Sequence, residues 1–516
     1  MKKQNSFFRA GAVLVLSNIV VKALSAAYRI PLTRMLGADT MGRYSAVYNL
    51  FMPFFSFATA GITTTVAHYT AASASPLVAS VRKNAFGLYL PLSVVFGALF
   101  LAFAKGYAQW HNDSLFFTGA VILAPAILLS AVENIFKGIT QGQMNMLPTA
   151  TANLTEGLFK TTAGLGCVWL VINHWHGNDD TALVVCFATV TLSAAVCTAM
   201  LLFSCGERRG EKSAPAPSTI TVRQMFAMSL PVGVSALTIS LSSFFETAVC
   251  LPVIAKIPYQ QIVASFRGAS FMGAGDMSMY LYGIWQGMVL TVFNLTPVVL
   301  SAVGTAALPL VSKSYALNDK KQLEHYTQKL FSVTAAFGVP AMCMVFCFGG
   351  QIVQLLFGTT AQQAVVALQL LRIVCCGGVF CCFGSAFNSV LYAAGRSDKA
   401  FYILLVASVA RMSTGFLLCR VPWLNIKALA VSTVVFHTII FTGSILAVRK
   451  LGIQFDLWGI FALPLMASLV SVLLSNWLVT AQLVSLPLFL QLFFAGVVAG
   501  LVYLLILICT GFFVDK

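Results

Sequence analysis

The sequence predicts an all-α polytopic membrane protein of about fourteen transmembrane helices. Composition, the spacing of apolar runs and the placement of the basic residues each lead there. Hydrophobic residues make up 59% and charged residues 9% of the 516 positions, and the mean hydropathy is +0.88. A soluble globular chain carries about 25% charged residues, so that class is excluded. The net charge of +16 must then sit mainly in loops, where it faces an anionic leaflet. No soluble basic domain remains to bind nucleic acid.

Runs long enough to cross the bilayer, roughly 20 residues each, follow in order. The first half contains Ala10–Leu32, Tyr44–Tyr69, Asn84–Ala104, Leu115–Ile139, Pro148–Ile172 and Thr181–Ser204. The basic N-terminus and Ala-Leu-Ser-Ala-Ala mimic a signal peptide, but Lys22 interrupts the apolar run, so an uncleaved first span is expected. A polar stretch, GERRGEKSAPAPSTITVR, reads as a flexible linker. The second half contains Gln224–Val253, Met279–Leu310, Phe331–Phe348, Ala364–Ala394, Ala400–Leu418 and Ile426–Val448, and Leu457–Leu478 and Leu486–Phe513 close the chain. The expected division is an N-terminal lobe (1–205), a cytoplasmic linker (206–222), a C-terminal lobe (223–449) and an accessory helix pair (450–516).

With the N-terminus inside, Lys2, Lys3, Arg82, Lys83, Lys137, Arg208, Arg209, Lys320, Lys321, Arg396, Lys399, Arg449 and Lys450 fall on the cytoplasmic side. The outer side receives Arg34, Arg43, Lys105, Lys256, Arg267, Arg420 and Lys427. This is the asymmetry of a protein with both termini in the cytoplasm.

The first span carries a polar stripe. Asn18, Lys22, Ser25, Arg29 and Thr33 share one helical face among Val, Ile, Leu and Ala. Mid-span cations are costly unless they face protein, water or an anionic ligand. Snorkelling to an interface would suit Arg29 better than Lys22.

Arg29-Ile30-Pro31-Leu32, Leu36-Gly37-Ala38-Asp39, Met41-Gly42-Arg43-Tyr44 and Ala60-Gly61-Ile62 resemble the opening signature of the stage V sporulation protein B family. That family is a branch of the flippase superfamily that includes MurJ, Wzx and the MATE drug exporters. The resemblance implies an inner-membrane flippase for an undecaprenyl-linked saccharide, often the peptidoglycan precursor lipid II. Arg43 and Thr63-Thr64-Thr65 depart from the pattern, near the presumed cavity. By the same resemblance the last helix pair forms a lateral groove for a polyprenyl tail; peripheral packing or a dimer contact is the plain alternative.

Echoes between the halves suggest a duplication. Lys160-Thr-Thr-Ala-Gly-Leu returns as Arg411-Met-Ser-Thr-Gly-Phe, and Ser56-Phe-Ala-Thr-Ala-Gly61 as Val299-Leu-Ser-Ala-Val-Gly304. Two six-helix lobes related by a pseudo-two-fold axis are expected, with a cavity between them. Lys22, Arg29, Lys160 and Arg411, with Asn18 and Ser25, are the candidate ligands for a pyrophosphate-linked head group. Glu156 and Lys160, spaced i, i+4, pair with each other in the plain reading. Glu133, Glu156 and Glu246 are candidates for binding H+ or Na+; membrane potential is the other driving force these residues allow. Glu246 continues a face of Ser235, Thr238 and Ser242, or lies at a helix end near the outer surface. The family resemblance implies an external gate at Arg34, Asp39 and Arg43; a solvated ion pair is the plain alternative.

Thirteen cysteines suggest a metal site, but Cys375-Cys376 and Cys381-Cys382 lack the paired spacing of zinc ligands. No metal and no cofactor are expected. An enzyme acting on polyprenyl-linked sugars would need an external loop with a carboxylate pair, and Ile254–Ser278 offers only Asp276. A drug exporter for organic cations would favour acids over the Lys and Arg seen within the spans. The expected partners are the bilayer, a polyprenyl-linked saccharide (lipid II, or a capsule, teichoic acid or O-antigen precursor) and the cell-wall synthesis machinery. Single cysteines at Ser213 and Lys516 should resist an impermeant thiol reagent in intact cells, while one at Asn178 should be labelled. Labelling at Lys516 would mean an odd number of crossings.

Overall fold

The computed structural model describes residues 2–71, 78–111, 113–175, 178–206, 221–266, 268, 276–482 and 485–512; the side chains of 2–16, 18, 19, 205 and 206 lie outside that description. Every regular element among the described residues is helical. Hydrocarbon offers backbone groups no partners, and a helix satisfies them within one segment. The chain forms two compact units, Met1–Ala248 and Val249–Lys516.

The first unit holds α1 (Lys2–Thr59), α2 (Ile62–Ala71), α3 (Val78–His111), α4 (Ser114–Gly142), α5 (Leu147–Asn173), α6 (Asp179–Gly206) and α7 (Val222–Phe245). Two glycines interrupt its long opening run. Gly37 (φ 73°, ψ 178°) breaks α1 into two rods, and Gly61 (φ 81°) separates α1 from α2. At Gly61 a Cβ would lie 2.8 Å from the Ser229 carbonyl oxygen, so α7 can approach only a glycine there. Helix starts follow local chemistry. Asp113 caps α4 by accepting from Leu115 N at 3.0 Å, and Thr221 and Gln224 form a reciprocal capping box on α7.

In the second unit, α8 (Leu251–Ala255) and α9 (Tyr259–Ser265) precede α10 (Met277–Gly283), which runs through a π-helical segment (Ile284–Val289) into α11 (Leu290–Ala316). Then come α12 (Lys320–Phe357), α13 (Ala361–Ala393), α14 (Ser397–Cys419), α15 (Lys427–Lys450), α16 (Leu457–Gln482) and α17 (Leu488–Cys509). An aromatic core joins four of them, with Phe331 4.5 Å from Phe387 and Phe383 4.7 Å from Phe461. The accessory pair α16–α17 is fixed to α12 by Tyr503 Oη, which donates to the Ala336 carbonyl at 2.8 Å. Ser475 Oγ donates to Ala495 O at 2.8 Å and ties the pair together.

Twelve described helical runs are long and apolar enough to cross a membrane. The first, Val20–Ala71, has 52 residues and would extend about 78 Å as one rod, against a hydrocarbon core of about 30 Å. The Gly37 break makes it two crossings. α5 is not among the twelve, because Asn153, Glu156, Lys160 and five threonines dilute its apolar character. Counting the first run twice and adding α5 gives the fourteen crossings expected.

Two expectations change. Lys137, assigned to a cytoplasmic loop, lies inside α4 and is 9% exposed, because a carboxylate one turn earlier receives its ammonium. The compact units part between Ala248 and Val249, since α7 packs on α1, α2 and α3; most of the expected linker, 207–220, lies outside the described residues.

Replacing Gly61 with Ala should lower the melting temperature of the purified protein and its yield. The positive φ costs roughly 1–3 kcal/mol, and the clash with Ser229 adds to it. Gly37→Ala meets open space around its Cβ, so its loss in a thermal-shift assay should come from the positive-φ backbone alone.

Candidate functional site

The first unit buries a cluster of charge where α4, α5 and α6 meet. Glu133 and Lys137, one turn apart on α4, form an ion pair and are 4% and 9% exposed. The order, Glu one turn before Lys, is the favourable one on a helix. Glu156 approaches from α5 and Cys197 from α6. Donor atoms of Glu133, Glu156 and Cys197 lie within 4.8 Å of one another. Thr140 of α4 and Thr149 of α5 hydrogen-bond at 3.0 Å and hold the two helices in register beneath the cluster.

Glu156 therefore faces Glu133 and Cys197, while Lys160 takes a different environment. Its ammonium lies 5.5 Å from the ring centre of Tyr28 and 5.7 Å from that of Tyr48, both on α1. A cation over an aromatic face gains electrostatic energy without a carboxylate. Lys160 still acts on Glu156 through space. Tyr48 stacks on Tyr44 at 5.9 Å, and Tyr44 stacks on Phe187 at 5.3 Å. Gly164 makes room for Tyr28, whose ring carbon would come within 2.9 Å of a Cβ at that position.

On the first rod of α1, Lys22 and Ser25 are exposed and Arg29 is half-buried. Ser25 Oγ donates to Val21 O at 2.9 Å, so its hydroxyl is spent on its own helix. Arg29 acts electrostatically on Tyr44, which links it to the tyrosine stack. The Asn18 side chain lies outside the described residues.

At the turn following Gly37, Arg43 gathers three carboxylates. Its guanidinium reaches Asp180 at 3.3 Å, Asp39 at 3.6 Å and Asp113 at 3.9 Å. Thr40 Oγ1 donates to Asp179 at 3.4 Å. The corner ties α1 to the starts of α4 and α6. Arg34, on the other side of the break, is exposed and is not drawn into these pairs.

Glu246 is 3% exposed, within the π-helical segment Glu246–Cys250 that follows α7. It is a buried group at the C-terminal end of α7. In the second unit, Arg411 lies 5.5 Å over Phe436 and next to His437, which packs 5.8 Å from Phe293. Each unit thus places the cation of its expected repeat over aromatic rings. Sequence reading missed Lys137, Cys197, Asp113, Asp179 and Asp180. Only Lys137 had a usable local signal, the Glu133 four residues before it. The others reach the site from distant helices.

These features define a polytopic, all-helical membrane protein with ionisable groups buried inside its helix bundle. Comparison with known proteins identifies the kind. The model of the polysaccharide biosynthesis protein family matches residues 7–315, and the MatE model matches 286–417. The chain belongs to the polysaccharide biosynthesis protein family. Stage V sporulation protein B of Bacillus subtilis (strain 168) is 20% identical over 446 residues, covering 84% of this chain and 82% of that protein. Lipid II flippase MurJ of the same organism is 20% identical over 393 residues, covering 71% and 69%. Among solved structures, lipid II flippase MurJ in an inward closed conformation superposes with TM-score 0.67 at 13% identity, covering 95% of this chain and 98% of that one. An inward-facing MATE multidrug transporter gives 0.64 at 13%, covering 84% and 94%. The fold is the one these transporters share.

Lys137→Met should destabilise the protein by about 3–5 kcal/mol, because it strands Glu133 in the bundle. Glu133→Gln combined with Lys137→Met should recover much of that loss. Thermal melts of the two single variants and the double variant would show the coupling; additive losses would mean that the pair holds no shared energy.

Proposed function

We propose that the protein moves an undecaprenyl-pyrophosphate-linked saccharide from the inner to the outer leaflet by alternating access, with lipid II as its substrate. The carrying observation is the charge on α1 and α5. Between residues 18 and 33 α1 bears Lys22 and Arg29 and no acid, and Lys160 sits half-buried across two tyrosine faces. A diphosphate cannot cross about 30 Å of hydrocarbon unaided. Cations held within the span would offset its desolvation, Arg29 as a fork and the lysines as point charges. The polysaccharide-biosynthesis family membership supports a lipid-linked sugar, and the name of one relative specifies lipid II for that relative.

Coupling follows from the buried cluster. When a phosphate draws Lys160 toward itself, Glu156 loses a counter-charge beside Glu133 and gains affinity for H+ or Na+. The Lys137 ammonium already in place favours a proton or a monovalent ion over a divalent metal. Glu246 is a second candidate for that ion. Arg43 with Asp39, Asp113 and Asp180 would latch the outer end, the role first sought in Arg34, Asp39 and Arg43. The setting is the bacterial inner membrane, with both termini cytoplasmic and the cell-wall synthesis machinery as neighbour.

Drug export of MATE type is the second reading, favoured by the MatE match over 286–417 and by the buried carboxylate of Glu133 beside the half-buried one of Glu156. Depletion decides among them. Lipid II should accumulate in the inner leaflet, out of reach of an externally added lipid II-cleaving toxin. Normal toxin access with build-up of a capsule or teichoic precursor would change the substrate, and retention of organic cations instead would select the exporter. Complementation should fail with Lys22→Ala plus Arg29→Ala at normal protein level. Lys160→Met should cut transport roughly tenfold, the weight of one charge-assisted contact.

A further inference from the structure

At one end of the second unit, α13 stops at Ala393, the chain turns through Gly395 (φ 67°), and α14 begins at Ser397. The C-terminal turn of α15 comes alongside. Together they enclose a cleft of about 520 Å³ with Arg396, Lys399 and Lys450 on its walls. Asp398 neutralises one of these cations, accepting from Arg396 Nε at 3.2 Å and from its Nη2 at 3.4 Å. Lys399 and Lys450 are exposed, so the cleft retains two positive charges.

The remaining walls are apolar. Tyr402, Ile403, Leu446 and Ala447 continue from the basic rim along α14 and α15. Tyr402 and Leu446 are 61% and 60% exposed, among other outward-facing apolar side chains of the two helices. The helices approach closely because Gly443 lies against Ile403; a Cβ there would come within 3.0 Å of Ile403 Cγ2. Behind the cleft, Leu391 and Leu451 join the aromatic core around Phe331 and Phe387, which gives it a packed back wall.

From this arrangement we infer that the cleft binds an anionic phospholipid of the surrounding bilayer. The phosphodiester sits between Lys399 and Lys450, and the first stretch of an acyl chain lies along Tyr402, Ile403 and Leu446. The ligand chemistry is a phosphate anion, and two mobile ammonium groups suit it as point charges. The volume falls within the range of small-molecule sites. Basic pockets between helices at the headgroup level take anionic lipid head groups. A lipid, and not a soluble phosphate, is the occupant because the apolar wall runs without interruption from the cations to the outward face of the helices. A soluble anion would leave that wall unused.

Native mass spectrometry of the full chain, released from nanodiscs of phosphatidylcholine doped with phosphatidylglycerol, tests this. Retained phosphatidylglycerol adducts should weaken at least roughly tenfold in K399Q/K450Q, the effect of two lysines at a membrane phosphate. K320Q/K321Q removes the same charge from another exposed site and should keep the adducts. Unchanged adducts in K399Q/K450Q would overturn the assignment. Equal loss in both variants would reduce the effect to general attraction and overturn it as well. In phosphatidylcholine alone, inorganic phosphate should not reproduce the thermal stabilisation given by phosphatidylglycerol; if it does, the site reads a free anion and the lipid occupant is wrong.

Discussion

The first unit depends on keeping an ammonium and a carboxylate together inside an apolar bundle. Either ion alone would cost several kcal/mol in that setting. Lys137 and Glu133 share one helix face, so their pairing needs no tertiary search. Its cost is met by position, since the pair is nearly closed to solvent and α5 and α6 must supply its remaining neighbours. Glu156 and Cys197 do so. The polar residues that dilute the apolar character of α5 include Glu156, which it presents to Glu133 of α4.

Cations elsewhere in the spans are handled by a different route. Lys160 and Arg411, both half-buried, lie over aromatic rings. An aromatic face lowers the cost of a buried cation without neutralising it. A positive charge held in this way keeps most of its attraction for an anionic ligand, whereas a carboxylate partner would cancel it. The distinction separates Lys137, paired with a carboxylate, from Lys160, which rests on aromatic faces.

Outside the spans the same chemistry is used for fastening. Asp113 serves twice, as the cap of α4 and as a partner of Arg43. Each of these half-exposed pairs contributes little alone, but four charges fixed on three helix ends act as a network. The corner also explains the placement of Arg43 after the Gly37 break. The positive φ of Gly37 turns the second rod so that Arg43 faces the starts of α4 and α6.

By itself the sequence determined the fold class and the fourteen crossings, because apolar run length is a local property. It also isolated Lys22, Arg29, Glu133, Glu156, Lys160, Glu246 and Arg411, since a charge within an apolar run is conspicuous without any structure. Which of them meet was decided by the tertiary structure alone. Glu156 and Lys160 are a standard i, i+4 pair in sequence, yet Glu156 joins Glu133 and Cys197 while Lys160 rests on Tyr28 and Tyr48. Lys137 reads as one more loop cation until the length of α4 carries it into the bundle. Helical periodicity gives each side chain a face, but the partner on that face comes from helices 20 to 130 residues away, and only packing selects it.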